Sequence, residues 1–206
     1  IIQVGITVDG HQVDLAKDTF RDFYLEADMK TGVLTRRFVW TSEDKATEIQ
    51  FVFTRFLSIV DKEMAVIQVK AEVLKGQPEI SLKPGLDNQV HNEDANYEEM
   101  FWEQVSENVA PASVTVRTIK NNFGIEQFTV TGLMLNDVTG LELSGSEVAN
   151  LQAFETYTGR VSEGDTVVLT KYVAMVTSRD VEPAEQEAKA TALAEAAKAK
   201  GFEKML

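Results

Sequence analysis

The 206-residue sequence contains no cysteine, which excludes disulfide bonds and thiolate metal sites. It has only two histidines, His11 and His91, and neither belongs to a closely spaced metal-binding pair. The phosphate-binding patterns GxGxxG and GxxxxGK and the nucleophile pattern GxSxG are also absent. The sequence therefore gives no support for a nucleotide-binding fold, a serine hydrolase or a histidine metal site. Both histidines are interpreted as exposed loop residues.

Long apolar runs and an excess of positive charge are lacking as well. No stretch of 18 apolar residues occurs, so no segment has the pattern of a transmembrane helix. The net charge of −13 disfavours nucleic acid and anionic membranes as partners. No leader-like segment opens the chain, which begins at Ile1 inside an apparent strand. We therefore expect a part of a longer protein. The absence of cysteine fits a reducing cytoplasm, which is the expected location, and also fits many secreted bacterial proteins.

Alternation of apolar and polar residues with a period of two is the main pattern present, and it predicts strands. The clearest case is a hairpin over 23–40, in which Gly32 supplies the positive φ of a short turn over 30–32. Its returning strand carries one row of residues on one face: Leu34, Arg36, Phe38 and Trp40. Nothing in this hairpin is a nucleophile or a metal ligand set, so the prediction for it is architectural.

Similar alternation predicts further strands along most of the chain. They span 1–8, 11–15, 47–60, 64–73, 79–83, 114–119, 127–135, 138–143, 155–161 and 166–177. About a dozen short strands with frequent turns indicate an all-β fold, an antiparallel sandwich of two packed sheets. Arg55 interrupts an otherwise apolar row, which indicates either a carboxylate partner or a position at the rim of the sheet.

The segment 84–112 lacks this alternation, and we predict a long excursion with one helical turn at 97–105. Its acidic residues are interleaved with Tyr97, Phe101 and Trp102. Four interpretations stay open: a carboxylate pair for glycoside cleavage, a calcium site without EF-hand spacing, an arm that docks on another domain or stacks on a sugar, and an ordinary polar loop. The arm is the functional interpretation that the residues favour.

The C-terminal segment predicts a helix over 183–200. Pro183 suits a first helical residue, and Gly201 suits the C-cap. Its apolar stripe is narrow and consists of Ala190, Leu193, Ala194 and Ala197. We expect so thin a stripe to pack against parts outside this chain, as in a connector.

Four ordered motifs resemble a known family. They are DMKTGVLTR (28–36), RFLSIVDKEMAV (55–66), LKPGLDNQVHNEDANYEEMFW (82–102) and VTSRD (176–180). Together they resemble the N-terminal domain of glycoside hydrolase family 65, and NEDANYEEMFW is most similar to its maltose-cleaving members. The resemblance implies a β-super-sandwich over 1–180 and a linker helix over 181–206 that leads to an (α/α)₆ catalytic barrel.

The resemblance also implies a function for the longer protein. Members of the family cleave an α-glucoside with inorganic phosphate and invert the anomeric centre, with no metal or organic cofactor. The chain itself is then a non-catalytic, inactive domain with its own barrel and a second subunit as partners. Arg36 and Asp28 are expected to fix the fold or the barrel contact. The residues expected at the active-site mouth or the domain contact are Asn92, Glu93, Asn96, Tyr97, Phe101 and Trp102. The alternative is a free-standing carbohydrate-binding module.

Overall fold

The computed structural model describes residues 3–89, 100–119 and 127–206. In these ranges the chain forms thirteen strands followed by a 3₁₀ helix and two α-helices. The strands are β1 Val4–Val8, β2 His11–Gln12, β3 Thr19–Asp28, β4 Val33–Thr41, β5 Glu48–Leu57, β6 Met64–Lys75, β7 Glu79–Asp87, β8 Trp102–Val109, β9 Ala112–Thr118, β10 Thr129–Thr139, β11 Glu142–Ala149, β12 Gln152–Arg160 and β13 Thr166–Thr177. The 3₁₀ helix is Pro183–Glu185, and the α-helices are α1 Gln186–Lys200 and α2 Phe202–Met205.

The strands form two sheets, one of five strands and one of eight. The five-stranded sheet has the order β11-β12-β7-β1-β2, and the eight-stranded sheet has the order β3-β4-β5-β6-β13-β10-β9-β8. Neighbouring strands pair antiparallel in both sheets. The predicted all-β sandwich with a C-terminal helix is therefore confirmed.

Two tight turns explain how the first hairpins form. Asp9 and Gly10 join β1 to β2, both with positive φ, as a two-residue hairpin turn requires. Gly32, with φ 72°, ends the turn between β3 and β4. Asp28 holds this turn because its carboxylate accepts hydrogen bonds from the Lys30 backbone N–H and the Thr31 hydroxyl, both at 2.8 Å. The predicted role of Asp28 in fixing the fold is thus supported by direct contacts.

The main core lies between the two sheets. Phe38 and Trp40 of β4 point inward with Phe51 of β5 and meet Ile6 and Val8 of β1. A second inner cluster lies towards β9 and includes Leu86 of β7, Val114 of β9 and Val173 of β13 among its buried members. In β4, β5 and β13 the residues that face this core belong to the apolar rows predicted from a period of two.

The C-terminal helix α1 covers the outer face of the eight-stranded sheet. Ala190, Ala194 and Ala197 are buried there against a cluster that includes Leu133 of β10 and Tyr172 of β13. The expectation that the stripe packs against parts outside the chain is therefore wrong. Small alanine side chains let the helix approach the sheet closely, so a narrow stripe is enough. Gly201 has φ 78° at the end of the helix, as predicted for its C-cap.

Several predicted strand limits need correction. The excursion over 84–112 and its helical turn at 97–105 are wrong in part, because β7 continues to Asp87 and β8 begins at Trp102. A break predicted after residue 135 is also wrong, because β10 is continuous to Thr139. Strand β8 and strand β11 are outer strands of their sheets and are largely exposed, so their residues lack the apolar alternation on which the prediction depended. In contrast, β13 has the limits predicted for it. No helix in the described ranges is long and apolar enough to cross a membrane.

Candidate functional site

The predicted arm leaves the five-stranded sheet at the end of β7 and reaches the eight-stranded sheet at β8. Asn92, Glu93, Asn96 and Tyr97 lie outside the described residues. The base of the arm is fixed on the β7 side, where the Asn88 backbone N–H donates to the Leu151 carbonyl at 3.1 Å.

Phe101 and Trp102 stand at the other end of the arm. The Phe101 side chain is 45% exposed, whereas Trp102 is partly buried against the inner cluster near β9. The Phe101 carbonyl accepts a hydrogen bond from the Ile119 backbone N–H at 2.9 Å, which joins the arm to the end of β9. Trp102 thus has a packing role in its own sheet, and Phe101 is the aromatic residue of this pair that is available to a partner.

The acidic residues next to the arm do not form a metal site in the described part of the chain, where no group of three or more His, Asp or Glu side chains could hold a metal ion. Glu103 pairs with Arg117 instead, at 2.7 Å. His11 lies in β2 rather than in a loop, and its Nε2 is 2.9 Å from Asp18 Oδ1. Asp18 also accepts a hydrogen bond from Trp40 Nε1 at 2.9 Å. His91 lies outside the described residues.

Three polar side chains, those of Arg55, Lys171 and Asn136, form a row across the inner face of the eight-stranded sheet, which we call the polar row. The strand register places Arg55 beside Ile67, Ile67 beside Lys171, and Lys171 beside Asn136. Lys171 is fully buried between the sheets, and its Nζ donates to the carbonyl oxygens of Gly85 and, at 3.2 Å, of Gln3. Burial lowers the pKa of Lys171 to about 7.

The same row is joined to the smaller sheet by two residues of β12. Asn136 Nδ2 donates to Glu155 Oε2 at 2.8 Å, and the Tyr157 hydroxyl donates to the same oxygen. Burial and the Glu155 carboxylate raise the pKa of the Tyr157 hydroxyl. The bonds from the polar row to the smaller sheet therefore fix the two sheets relative to each other. The Glu155 carboxylate accepts hydrogen bonds from two residues of the chain itself.

A groove of about 530 Å³ opens at the Arg55 end of the polar row. Its floor holds Arg36 and Arg55, and the Arg36 guanidinium lies over the Phe53 ring at 4.3 Å from the centroid. Burial and the positive charge of Arg55 lower the pKa of Arg36. Arg55 is exposed at the rim of the sheet, which is one of the two positions predicted for it.

Sequence reasoning missed Lys171 and Gln186. Lys171 stands in an otherwise apolar row of β13, the same signal that singled out Arg55. Gln186 opens α1, is fully buried, and accepts from the Thr131 hydroxyl at 3.1 Å while its amide donates to Thr129 Oγ1 at 2.8 Å. No periodic pattern could have found Gln186, because its partners come from a distant strand.

Comparison with known proteins gives a consistent result. A family model described as "Glycosyl hydrolase family 65, N-terminal domain" matches residues 1–206. Maltose phosphorylase from Bacillus subtilis (strain 168) is 34% identical over 192 residues, which are 92% of this chain and 25% of that protein. A human-microbiome protein provisionally named a kojibiose phosphorylase has a similar structure, with a TM-score of 0.85 at 21% identity, covering 98% of this chain and 26% of the other. The chain spans about a quarter of the length of these two proteins.

Proposed function

The chain belongs to glycosyl hydrolase family 65 as its N-terminal domain, and from this we propose that it is the non-catalytic sandwich domain of an inverting disaccharide phosphorylase. The observation that carries the proposal is the 34% identity to a maltose phosphorylase along 92% of this chain. The full-length protein would split maltose with inorganic phosphate into glucose and β-glucose 1-phosphate. Phosphate is then a co-substrate, and no metal or organic cofactor takes part.

The proposed role of the domain is mechanical. The bonds from Lys171 to Gly85 and from Asn136 to Glu155 support this role, because directional bonds between the sheets make a rigid platform. Helix α1, bound along the outer face of the larger sheet, would hold the catalytic (α/α)₆ barrel at a fixed position. We propose further that the full-length protein is a cytoplasmic homodimer that binds neither nucleic acid nor membrane.

The arm over 86–108 is proposed to edge the active-site mouth or to contact a neighbouring domain. In the full-length enzyme, Tyr97→Ala, Phe101→Ala and Trp102→Ala are expected to raise KM for the disaccharide or to lower kcat. Trp102→Ala should also lower stability, because Trp102 packs against the inner cluster. Val109→Ala is the matched control, since Val109 is 43% exposed on the same strand as Trp102 but lies beyond the arm.

Steady-state kinetics and sedimentation of these variants test the role of the arm. Unchanged kinetics together with an unchanged oligomeric state in Tyr97→Ala and Trp102→Ala would show that the arm is an ordinary polar loop.

A second candidate is a free-standing carbohydrate-binding module. The exposed aromatic side chains of β3 favour it, because sugars stack on such rings: Phe20, Phe23 and Tyr24 are 39%, 49% and 41% exposed. The inward direction of most other aromatic residues counts against it. Titration calorimetry of this chain with maltose and longer glucans decides between the two, since millimolar or tighter binding would favour the module.

A further inference from the structure

The groove is a part of the inner face of the larger sheet that the smaller sheet leaves open. Strand β1 covers Phe38 and Trp40 of β4. The groove lies further along β4 and the neighbouring β5, over Leu34 and Phe53. Strand β2, beside β1, is only two residues long. An inner sheet face is shaped to be covered by a second layer, and no strand in the described part of the smaller sheet covers this portion.

The outer wall of the groove is apolar and accessible. It is formed by β3, the outermost strand of the larger sheet, on which all ten residues are exposed. Phe20, Phe23 and Leu25 line the groove and are 39%, 49% and 57% exposed. Contiguous exposed apolar side chains of this kind mark surfaces that bind another molecule.

The charge of the groove specifies what that molecule carries. Among the described residues, no carboxylate lies within 4.0 Å of the Arg36 or Arg55 guanidinium. Arg21 of β3 shows the contrasting case, because it pairs with Asp22 and Glu48. In a chain of net charge −13, two adjacent cations in an apolar groove are complementary to a carboxylate from outside.

The backbone beside the groove favours an extended binding partner. Ile6 directs its carbonyl to Val13 N, at 3.0 Å, and Val8 pairs with His11, so both face the side on which β2 lies. The period of two turns the backbone groups of Val4 to that same side, beyond the end of β2. Val4 also lines the groove, and among the described residues no strand pairs with Val4 on this side. A segment lying in the groove would therefore run past an open strand edge.

We propose that this groove binds an extended protein segment that carries a carboxylate between apolar side chains. The apolar side chains would lie against Phe20, Phe23 and Leu25, and the carboxylate would accept hydrogen bonds from Arg36 and Arg55. The segment thereby supplies the covering layer and neutralises the paired cations. A neutral apolar segment would leave Arg36 desolvated with no counter-charge, so the groove selects for the carboxylate.

Two synthetic peptides test this selectivity, one with the sequence VFELV and one with VFQLV, both acetylated and amidated. Their binding to the 206-residue chain is followed by NMR through the backbone amides of Phe23 and Leu25 and the Nε signal of Arg36. We expect saturable shifts at these signals with the acidic peptide and at least ten-fold weaker binding of the neutral one. Equal affinity for the two peptides, or no shift from either at millimolar concentration, would overturn the proposal.

Variants locate the effect in the groove. Arg55→Gln, at an exposed site, should abolish the preference for the acidic peptide without affecting the fold, and Arg36→Gln should also abolish the preference. The matched control is Arg37→Gln, because Arg37 lies on the opposite face of β4, over the Tyr24 ring at 5.5 Å. Loss of the preference in Arg37→Gln would attribute it to net charge and refute the proposal. Sedimentation that shows a dimer broken by Arg55→Gln would identify a second copy of the chain as the occupant instead.

Discussion

The buried amine of Lys171 predicts a specific dependence of stability on pH. Its side chain is fully buried, and burial lowers its pKa from an ordinary value of 10.5 to about 7. Below pH 7 the lysine is protonated in both the folded and the unfolded chain, so the cost of burying the charge is present in full. Between pH 7 and 10.5 the unfolded chain binds more protons, and the free energy of unfolding must therefore rise with pH.

The size of this effect follows from the two pKa values. At about 1.4 kcal/mol per pH unit, the gain is roughly 5 kcal/mol over the whole interval and about 3 kcal/mol by pH 9.5. Measurement should stop at that pH, because ionisation of tyrosines in the unfolded chain then begins to act in the opposite direction: the raised pKa of Tyr157 disfavours its ionised form in the fold.

Urea unfolding of the chain and of Lys171→Met between pH 6 and 9.5 measures the effect. The variant leaves the carbonyls of Gly85 and Gln3 without this donor, which changes its stability at every pH. The quantity to compare is therefore the slope of the free energy of unfolding against pH. Lys70→Met is the matched control, since Lys70 is exposed on β6 and its removal should leave the rise intact. Parallel curves for the chain and Lys171→Met would refute the reasoning.

Two further substitutions probe close packing and buried hydrogen bonding, each with a control, and thermal or urea unfolding measures both. Gly85→Ala should destabilise the chain by about 1–3 kcal/mol, because the added Cβ would lie 2.1 Å from the Phe154 ring. Gly145→Ala, with no atom within 4 Å, should change stability by less than about 0.5 kcal/mol; equal effects would contradict the packing argument. Gln186→Ala should cost about 1–3 kcal/mol by leaving two threonine hydroxyls of β10 without their amide partner, whereas exposed Gln104→Ala should cost almost nothing. A neutral Gln186→Ala would show that the helix needs no polar anchor.

The sequence predicted the fold well wherever a strand packs apolar residues against a core. Strand β13 is such a case: both of its faces are buried, and its predicted limits agree with the structure because apolar residues continue on both sides of Lys171. Strand β8 was missed because it is an outer strand, and its residues, which contact solvent more than the core, show no apolar alternation. The predicted break in β10 arose at Asn136 and Asp137, and the structure shows that Asn136 is polar because it bonds Glu155 across the sandwich.

The candidate site was less accessible to sequence reasoning. The groove joins Arg36 and Arg55 to residues that come from three other strands and a loop, and only strand pairing brings them together. A lone arginine in an apolar row was a usable signal, but its neighbours could not be named before the register was known. Four of the six residues predicted for the arm lie outside the described ranges, and the role of all six at the active-site mouth or domain contact stays a prediction.

Phosphate-dependent turnover by the complete gene product tests the central claim most directly. The complete protein and the 206-residue chain would each be incubated with maltose, with and without inorganic phosphate, and the products followed by NMR. We expect the complete protein to release β-glucose 1-phosphate only when phosphate is present, and the chain alone to release none. Turnover by the chain alone, or no phosphate-dependent cleavage of maltose or another glucose disaccharide by the complete protein, would contradict the account.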